Sequence, residues 1–159
     1  MNKLSIKTAT KHDITEICDL FKTTIKTVNS NHYSNNEIHA WAQGSENIPN
    51  WENRIDKHYF ILAKNGDKLV GMASCIKDYL DVIYVHHKNQ GQGIATTLLN
   101  NTIRHVQDNG YDKLFSDVSI TAKPYFLKKG FSIIRPQLVY CRGVYLRNYH
   151  VVKHLDEIK

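Results

Sequence analysis

The sequence predicts an α+β layer fold: a mixed, mostly antiparallel central sheet of about seven strands flanked by helices. Two observations carry this. Short stretches of alternating or unbroken apolar residues read as strands, and between them apolar residues recur at helical spacing. The segments follow the order strand, helices, three strands, helix, strand, helix, two strands. That order gives antiparallel neighbours and one central parallel crossover.

Each element has a local reason. Leu4-Ser5-Ile6-Lys7-Thr8 alternates as a first strand. Thr10 with Asp13 resembles a capping box, and Ile14, Ile17, Phe21, Ile25 and Val28 then mark an amphipathic helix. Ser34-Asn35-Asn36-Glu37 is a cleaner box, opening a short helix that carries Ile38, Trp41 and Ala42 and stops near Gly44. Pro49 starts one more turn, through Trp51 and Ile55. Tyr59-Phe60-Ile61-Leu62-Ala63 is a buried strand, Asn65-Gly66 a hairpin turn, and residues 69–76 the returning strand. Residues 80–85 form the next strand. In the helix at 95–107, Ala95, Leu98, Leu99, Thr102 and Val106 make one stripe, closed by Asn109-Gly110. Residues 114–118 are a strand, and 122–129 a short helix with Pro124 in its first turn. Residues 131–152 are strand-like about a turn at Arg142-Gly143, and 153–159 read as a frayed tail.

With 159 residues and 42% hydrophobic composition, the chain fits one domain over its whole length. No apolar run approaches 18 residues and no long apolar segment opens the chain, which argues against a membrane partner or a signal peptide. Cys18, Cys75 and Cys141 are far apart and form no C-x-x-C pair. They read as free thiols in a reducing, cytoplasmic setting. The net charge of +6 is scattered rather than clustered, so it reads as a solvated basic surface or a positive field for a phosphate-rich ligand, not a nucleic-acid partner. Nine histidines invite a metal reading. His86 and His87 are neighbours, however, which on a strand face opposite sides, and no His/Cys cluster has ligand spacing, so no metal is expected.

The most informative stretch is Gln90-Gly91-Gln92-Gly93-Ile94-Ala95, between the run Val82-Ile83-Tyr84-Val85 and a helix. Strand, glycine turn and helix N-terminus together aim several backbone N–H groups at one place, which suits a phosphate. No Gly-Lys-Ser/Thr is present for a P-loop, and no G-x-G-x-x-G follows the first strand. The spacing Gln90-x-x-Gly93-x-Ala95 instead resembles the acetyl-CoA signature of the GNAT superfamily of N-acetyltransferases. The element order matches that family along nearly the whole chain. Tyr33-Ser34, Ala40-Trp41, residues 118–124 and Arg142-Gly143-Val144 further resemble a small bacterial branch, the YafP-type acetyltransferases.

The resemblance implies acetyl transfer from acetyl-CoA to an amine by direct attack, without an acyl-enzyme. The acceptor is a small-molecule amine first and a protein amine second, and the protein a monomer or homodimer. It implies that Gln90, Gly91, Gln92, Gly93, Ile94, Ala95 and Thr96 hold the pyrophosphate. Ile83, Tyr84 and Val85 would bind the pantetheine arm through main chain, with the Val85 N–H as oxyanion donor. Asp81 would take the amine's proton if regular alternation puts it on the face of Ile83 and Val85; otherwise it is a solvated strand-end aspartate.

The family's usual tyrosine falls on Phe126, which has no proton to give, so Tyr125 serves only if its helix is rotated. Ser119 replaces the usual Asn. It either contacts the pantetheine or caps the short helix. Tyr33 and Trp41 would wall the acceptor site, or be a staple and a core residue respectively. Two rival readings remain. One is a catalytically degenerate acyl-CoA-binding sensor, motivated by Phe126. The other is a nucleic-acid binder, motivated by the charge.

Overall fold

Strand β1 (Leu4–Thr8) leads into α1 (Ile14–Thr27) through a turn tied by Asp13, in a computed structural model that describes residues 3–156. The Asp13 carboxylate accepts the Thr10 N–H at 2.8 Å and the Lys7 ammonium at 2.9 Å. Helix α2 (Asn35–Ala42) starts at a reciprocal cap: the Ser34 N–H donates to Glu37 Oε1 and the Glu37 N–H to Ser34 Oγ. Helix α3 (Ile48–Lys57) is longer than the single turn predicted after Pro49. Asn47 caps it, and Trp51, 1% exposed, anchors it by donating from Nε1 to Gly44 O at 3.0 Å. Then follow β2 (Tyr59–Asn65), β3 (Lys68–Ile76), β4 (Tyr79–Val85), α4 (Ile94–Asp108), β5 (Lys113–Ser119), α5 (Lys123–Lys128), β6 (Ser132–Cys141) and β7 (Val144–His154).

The seven strands make one sheet in the order β1-β2-β3-β4-β5-β7-β6. Side chains alternate between its faces, so Phe60 and Leu62 join one core while Ile61 and Ala63 join the other. The first core holds Ile17, Phe21, Ile25, Trp51 and Met72 under α1 to α3. The second holds Val70, Ala73, Ile94, Leu98, Leu99 and Val106 under α4.

One junction differs from the rest. Strands β4 and β5 are parallel and pair only at Tyr79–Phe115 and Leu80–Ser116, where Ser116 Oγ donates to Leu80 O at 2.8 Å. Beyond that point they part. A bulge sits at the same place: Cys75 faces Leu80 but Ser74 faces Val82, leaving Asp81 as the extra residue.

At the other end, β6 is the outermost strand. Its pairing with β7 shifts between Ile133 and Arg135, and Pro136 lies within it. The expected frayed tail is corrected: β7 continues through Lys153 and His154 opposite β5. Lys153 Nζ donates to Lys129 O and the Leu155 N–H to Asp112 O, giving this segment partners that its charged composition hides. Residues 157–159 of that predicted tail lie outside the described residues.

Gly71 is where β3 meets α4. A Cβ there would lie 2.9 Å from Ile94 Cγ2 and 3.0 Å from Leu98 Cδ1. Gly71→Val is expected to destabilise the fold by about 1–3 kcal/mol through overpacking, read as a lower urea midpoint with an unchanged slope.

Candidate active site

The parting of β4 from β5 makes the site. The His86 N–H donates to Val70 O at 2.8 Å, so ladder alternation turns the N–H and C=O of Tyr84 toward β3 as well. Those of Ile83 and Val85 therefore face the opening left by β5. A cleft of about 190 Å³ lies there, lined by Ile83, Tyr84, Val85, Gln90, Ala95, Ser119 and Tyr125 among others.

The glycine turn stands at one end of this cleft. Gly91 and Gly93 have φ of +73° and +81°, and a Cβ on either would meet nothing within 4 Å. Their surface is open, and their conformation is one that side chains disfavour. Gly93 is the N-cap of α4 and has no side chain to cap with. The first bond of the helix runs from the Thr97 N–H to Gly93 O, so the N–H groups of Ile94, Ala95 and Thr96 precede the intrahelical ladder.

Gln90 turns inward, donating from Nε2 to Val85 O at 2.7 Å, and so fixes the turn against the end of β4. Gln92 is exposed on the turn. From α1, the Thr24 hydroxyl is buried in the cleft without a partner. This orphaned hydroxyl, the open glycines and the free amides together fit a long ligand with a phosphate end and a hydrogen-bonding arm.

Tyr125 has the hydroxyl that Phe126 lacks. Phe126 is 2% exposed and packs edge-on against Phe131 in the core. Tyr125 instead places its hydroxyl 2.9 Å from Thr96 Oγ1, across from the first turn of α4. Burial pushes its phenol up, against the opposing effect of the Thr96 bond, so it keeps its proton through neutral pH. Ser119 Oγ accepts the Ala122 N–H at 3.0 Å in the turn before α5, whose N-cap is Ala122 and not Ser119, while also lining the cleft.

The expectation for Asp81 needs correction. The bulge shifts its parity, so it faces the side of Val82 and Tyr84 rather than that of Ile83 and Val85. There its Oδ2 meets Arg54 Nε at 2.8 Å and lies 3.7 Å from His58 Nδ1. This places Asp81 on a second cavity, of about 340 Å³, with Tyr33, Trp41, Trp51 and Arg54. Tyr33 and Trp41 meet edge to face at 5.3 Å. The Tyr33 hydroxyl donates to Arg147 O at 2.6 Å and accepts the Ile120 N–H at 2.9 Å, which ties β7 to the exit of β5. Tyr33 is thus both a cavity wall and a structural clamp.

The stacked pair His86 and His87 is a second correction. Strand β4 ends at Val85, so the two rings follow in a turn and lie 4.3 Å apart instead of on opposite faces. Among the described residues no group of three His, Cys, Asp or Glu side chains could hold a metal ion. No described helix is long and apolar enough to cross a membrane.

Sequence reasoning missed Asp117, which also lines this cavity. It accepts from Tyr79 OH, Gln137 Nε2 and His150 Nδ1, each at 2.7 Å. Burial opposes its ionisation, but these bonds outweigh burial and hold the carboxyl below the usual range. Its partners lie on three strands far apart in sequence, so no local pattern announces it. Arg54 was missed for the same reason, although it follows Trp51 by three residues on α3 and stacks over that ring at 4.6 Å.

The fold and site define an acetyltransferase: the chain belongs to the GNAT acetyltransferase family, whose domain model matches residues 29–150. It is 32% identical over 151 residues to YafP, an uncharacterized N-acetyltransferase of Escherichia coli K12, covering 95% of this chain and 96% of that one. Its fold is that of a GCN5-related N-acetyltransferase from Rhodopseudomonas palustris (TM-score 0.93, 24% identity, 98% of each chain). It also superimposes on the PaiA N-acetyltransferase of Thermoplasma acidophilum in complex with coenzyme A (TM-score 0.78, 16% identity, 96% of this chain and 99% of that one).

The Asp117 bonds make a pH prediction. A carboxyl depressed in the folded state adds stability that is full above its unfolded value of about 4 and is lost as pH falls through its folded value. Asp117→Asn is expected to cost about 1 kcal/mol at pH 7. Its urea midpoint should then fall less steeply than that of the wild type as pH is lowered below about 4.

Proposed function

We propose that this protein transfers an acetyl group from acetyl-CoA to a primary amine, by direct attack within a ternary complex. The carrying observation is the parting of β4 and β5, which leaves the main chain of Ile83 and the Val85 N–H without a strand partner along a cleft running to the Gly91–Gly93 turn. The family membership supports this reading, as does the coenzyme A held by the PaiA relative.

In this reading the open backbone of Gly91 and Gly93 and the first amides of α4 receive the pyrophosphate, with Gln92 and Thr96 beside it. The Thr24 hydroxyl and the main chain of Ile83, Tyr84 and Val85 hold the arm. The bound thioester supplies an activated acetyl carbonyl. The Val85 N–H faces that carbonyl and stabilises negative charge on its oxygen, an effect worth about 10²–10³ in turnover for such a donor.

The acceptor enters from the cavity walled by Tyr33 and Trp41. Asp81 Oδ2 is committed to Arg54, and Oδ1 is the oxygen left to take the amine's proton, directly or through water. The amine nitrogen bonds to the carbonyl carbon, the carbon–sulfur bond breaks, and Tyr125 OH gives its proton to the departing sulfur. The cavity, enclosed by side chains from both halves of the sheet, favours a small-molecule amine over a protein one.

Calorimetric titration with acetyl-CoA tests the cofactor site. Wild-type protein should bind and Gly93→Trp should not. Binding by both would move the site away from this turn. Tyr125→Phe should lower kcat about 10²-fold, with the KM for acetyl-CoA little changed. A catalytically degenerate sensor, the reading that Phe126 motivates, instead requires acetyl-CoA binding with no thiol release for any amine.

A further inference from the structure

The acceptor cavity carries opposite charges at its two ends. At the inner end, beside the parting of the strands, Asp81 is neutralised by Arg54. Asp117 has no arginine or lysine partner: it is held by a phenol, an amide and an imidazole. Oδ2 of Asp117 accepts only from Tyr79, and a carboxylate oxygen accepts two bonds, so one position is open. Beside it on the same sheet face lies Asn148, whose amide oxygen is buried without a donor and which lines the same cavity. Asn148 stands opposite Ser119, and His150 opposite Asp117. Two acceptors short of donors therefore sit together where the reacting amine would arrive.

At the outer end stands Arg142, at the tip of the β6–β7 hairpin. Its φ is +43°, with Gly143 following at +90°. Both central positions of this turn need positive φ, which Asn or Gly supplies at least cost. An arginine there is strained. Its guanidinium reaches across to the last turn of α2, where Nη1 donates to Ala40 O at 3.2 Å. Among the described residues no carboxylate lies within ion-pair distance of Arg142. A guanidinium has five N–H donors in a planar fork, and Nε and Nη2 remain unengaged.

We infer that the acceptor is an amine bearing a carboxylate some carbons away, with its ammonium received at Asp117 and Asn148 and its carboxylate by Arg142. This rests on the acetyl-transfer reading, which identifies the inner group as the reacting amine. The six steps along the chain from Val144 to His150 span roughly 20 Å of strand. Arg142 lines the same cavity as Asp117 and Asn148 from beyond that stretch, so the two charges of the ligand are separated by a chain rather than by one carbon. Arg142 is then a specificity-determining residue.

The chain's two tryptophans, Trp41 and Trp51, both line this cavity, so tryptophan emission reports its occupancy with or without catalysis. The probes are 4-aminobutyrate, 6-aminohexanoate and 8-aminooctanoate against butylamine, hexylamine and octylamine. Each is titrated by emission and assayed for thiol release from acetyl-CoA. At least one amino acid should bind and react about tenfold to a hundredfold better than its alkylamine, the range of one charge-assisted contact.

Arg142→Gln should bring that ratio toward one through KM, and Arg142→Lys, which keeps the charge, should retain part of it. Three results would overturn the inference: alkylamines favoured equally or more, a variant that moves both series by one factor, or no change in emission with either series. If acetyl-CoA fails to bind while the amino acids still perturb emission preferentially, the acetyl-transfer reading falls but the charge pattern of the cavity stands.

Discussion

Two residue pairs join the halves of this molecule's sheet in register. Tyr79–Phe115 and Leu80–Ser116 are the whole of the parallel contact between β4 and β5. A longer ladder would satisfy the main chain of Ile83 and Val85 and close the cleft. A shorter one would leave the C-terminal strands without a fixed relation to the rest. The buried Ser116 hydroxyl on Leu80 O and the Tyr33 hydroxyl between β7 and the exit of β5 reinforce so short a seam with side chains. Buried backbone groups seek partners, so the main chain of Ile83 and the Val85 N–H along the cleft are groups that a ligand can satisfy.

The fold was legible because its signals are local. Capping chemistry at Ser34 and the stripe on α4 each lie within a few residues and appear where their patterns predict, and the hairpin signalled by Asn65-Gly66 turns one residue later, at Gly66-Asp67. The glycine turn was legible for the same reason: positive φ at Gly91 and Gly93 is a property of the residue type. The site's charged residues were only partly so. Asp81 was found, but its direction was not, because one bulged residue reverses the alternation on which the inference rested. Asp117 and Arg54 were not found, since their partners come together only through tertiary pairing. Tyr125 stood between. Its adjacency to Phe126 was visible, but its bond to Thr96 depends on how α5 lies against α4.

The two cavities draw on different elements. The cleft lies between α1 on one side and α4 and α5 on the other, along the end of β4. The larger cavity is lined by side chains of α2, α3 and the β6–β7 hairpin, which can diverge without disturbing the sheet. Tyr84 and Ser119 line both. A family can in this way keep one cosubstrate while changing acceptors.

The outermost strand has a consequence of its own. β6 exposes Ile134, Leu138 and Tyr140, and an apolar edge of this kind is a template on which other chains can grow. The shift of register at Ile134 and the missing N–H of Pro136 break that template near its middle. A foreign strand approaching this border finds no continuous row of donors and acceptors. The protein can therefore carry a greasy rim at its hairpin, next to the cavity lined by Tyr33 and Trp41, without that rim seeding fibrous stacking of its own copies.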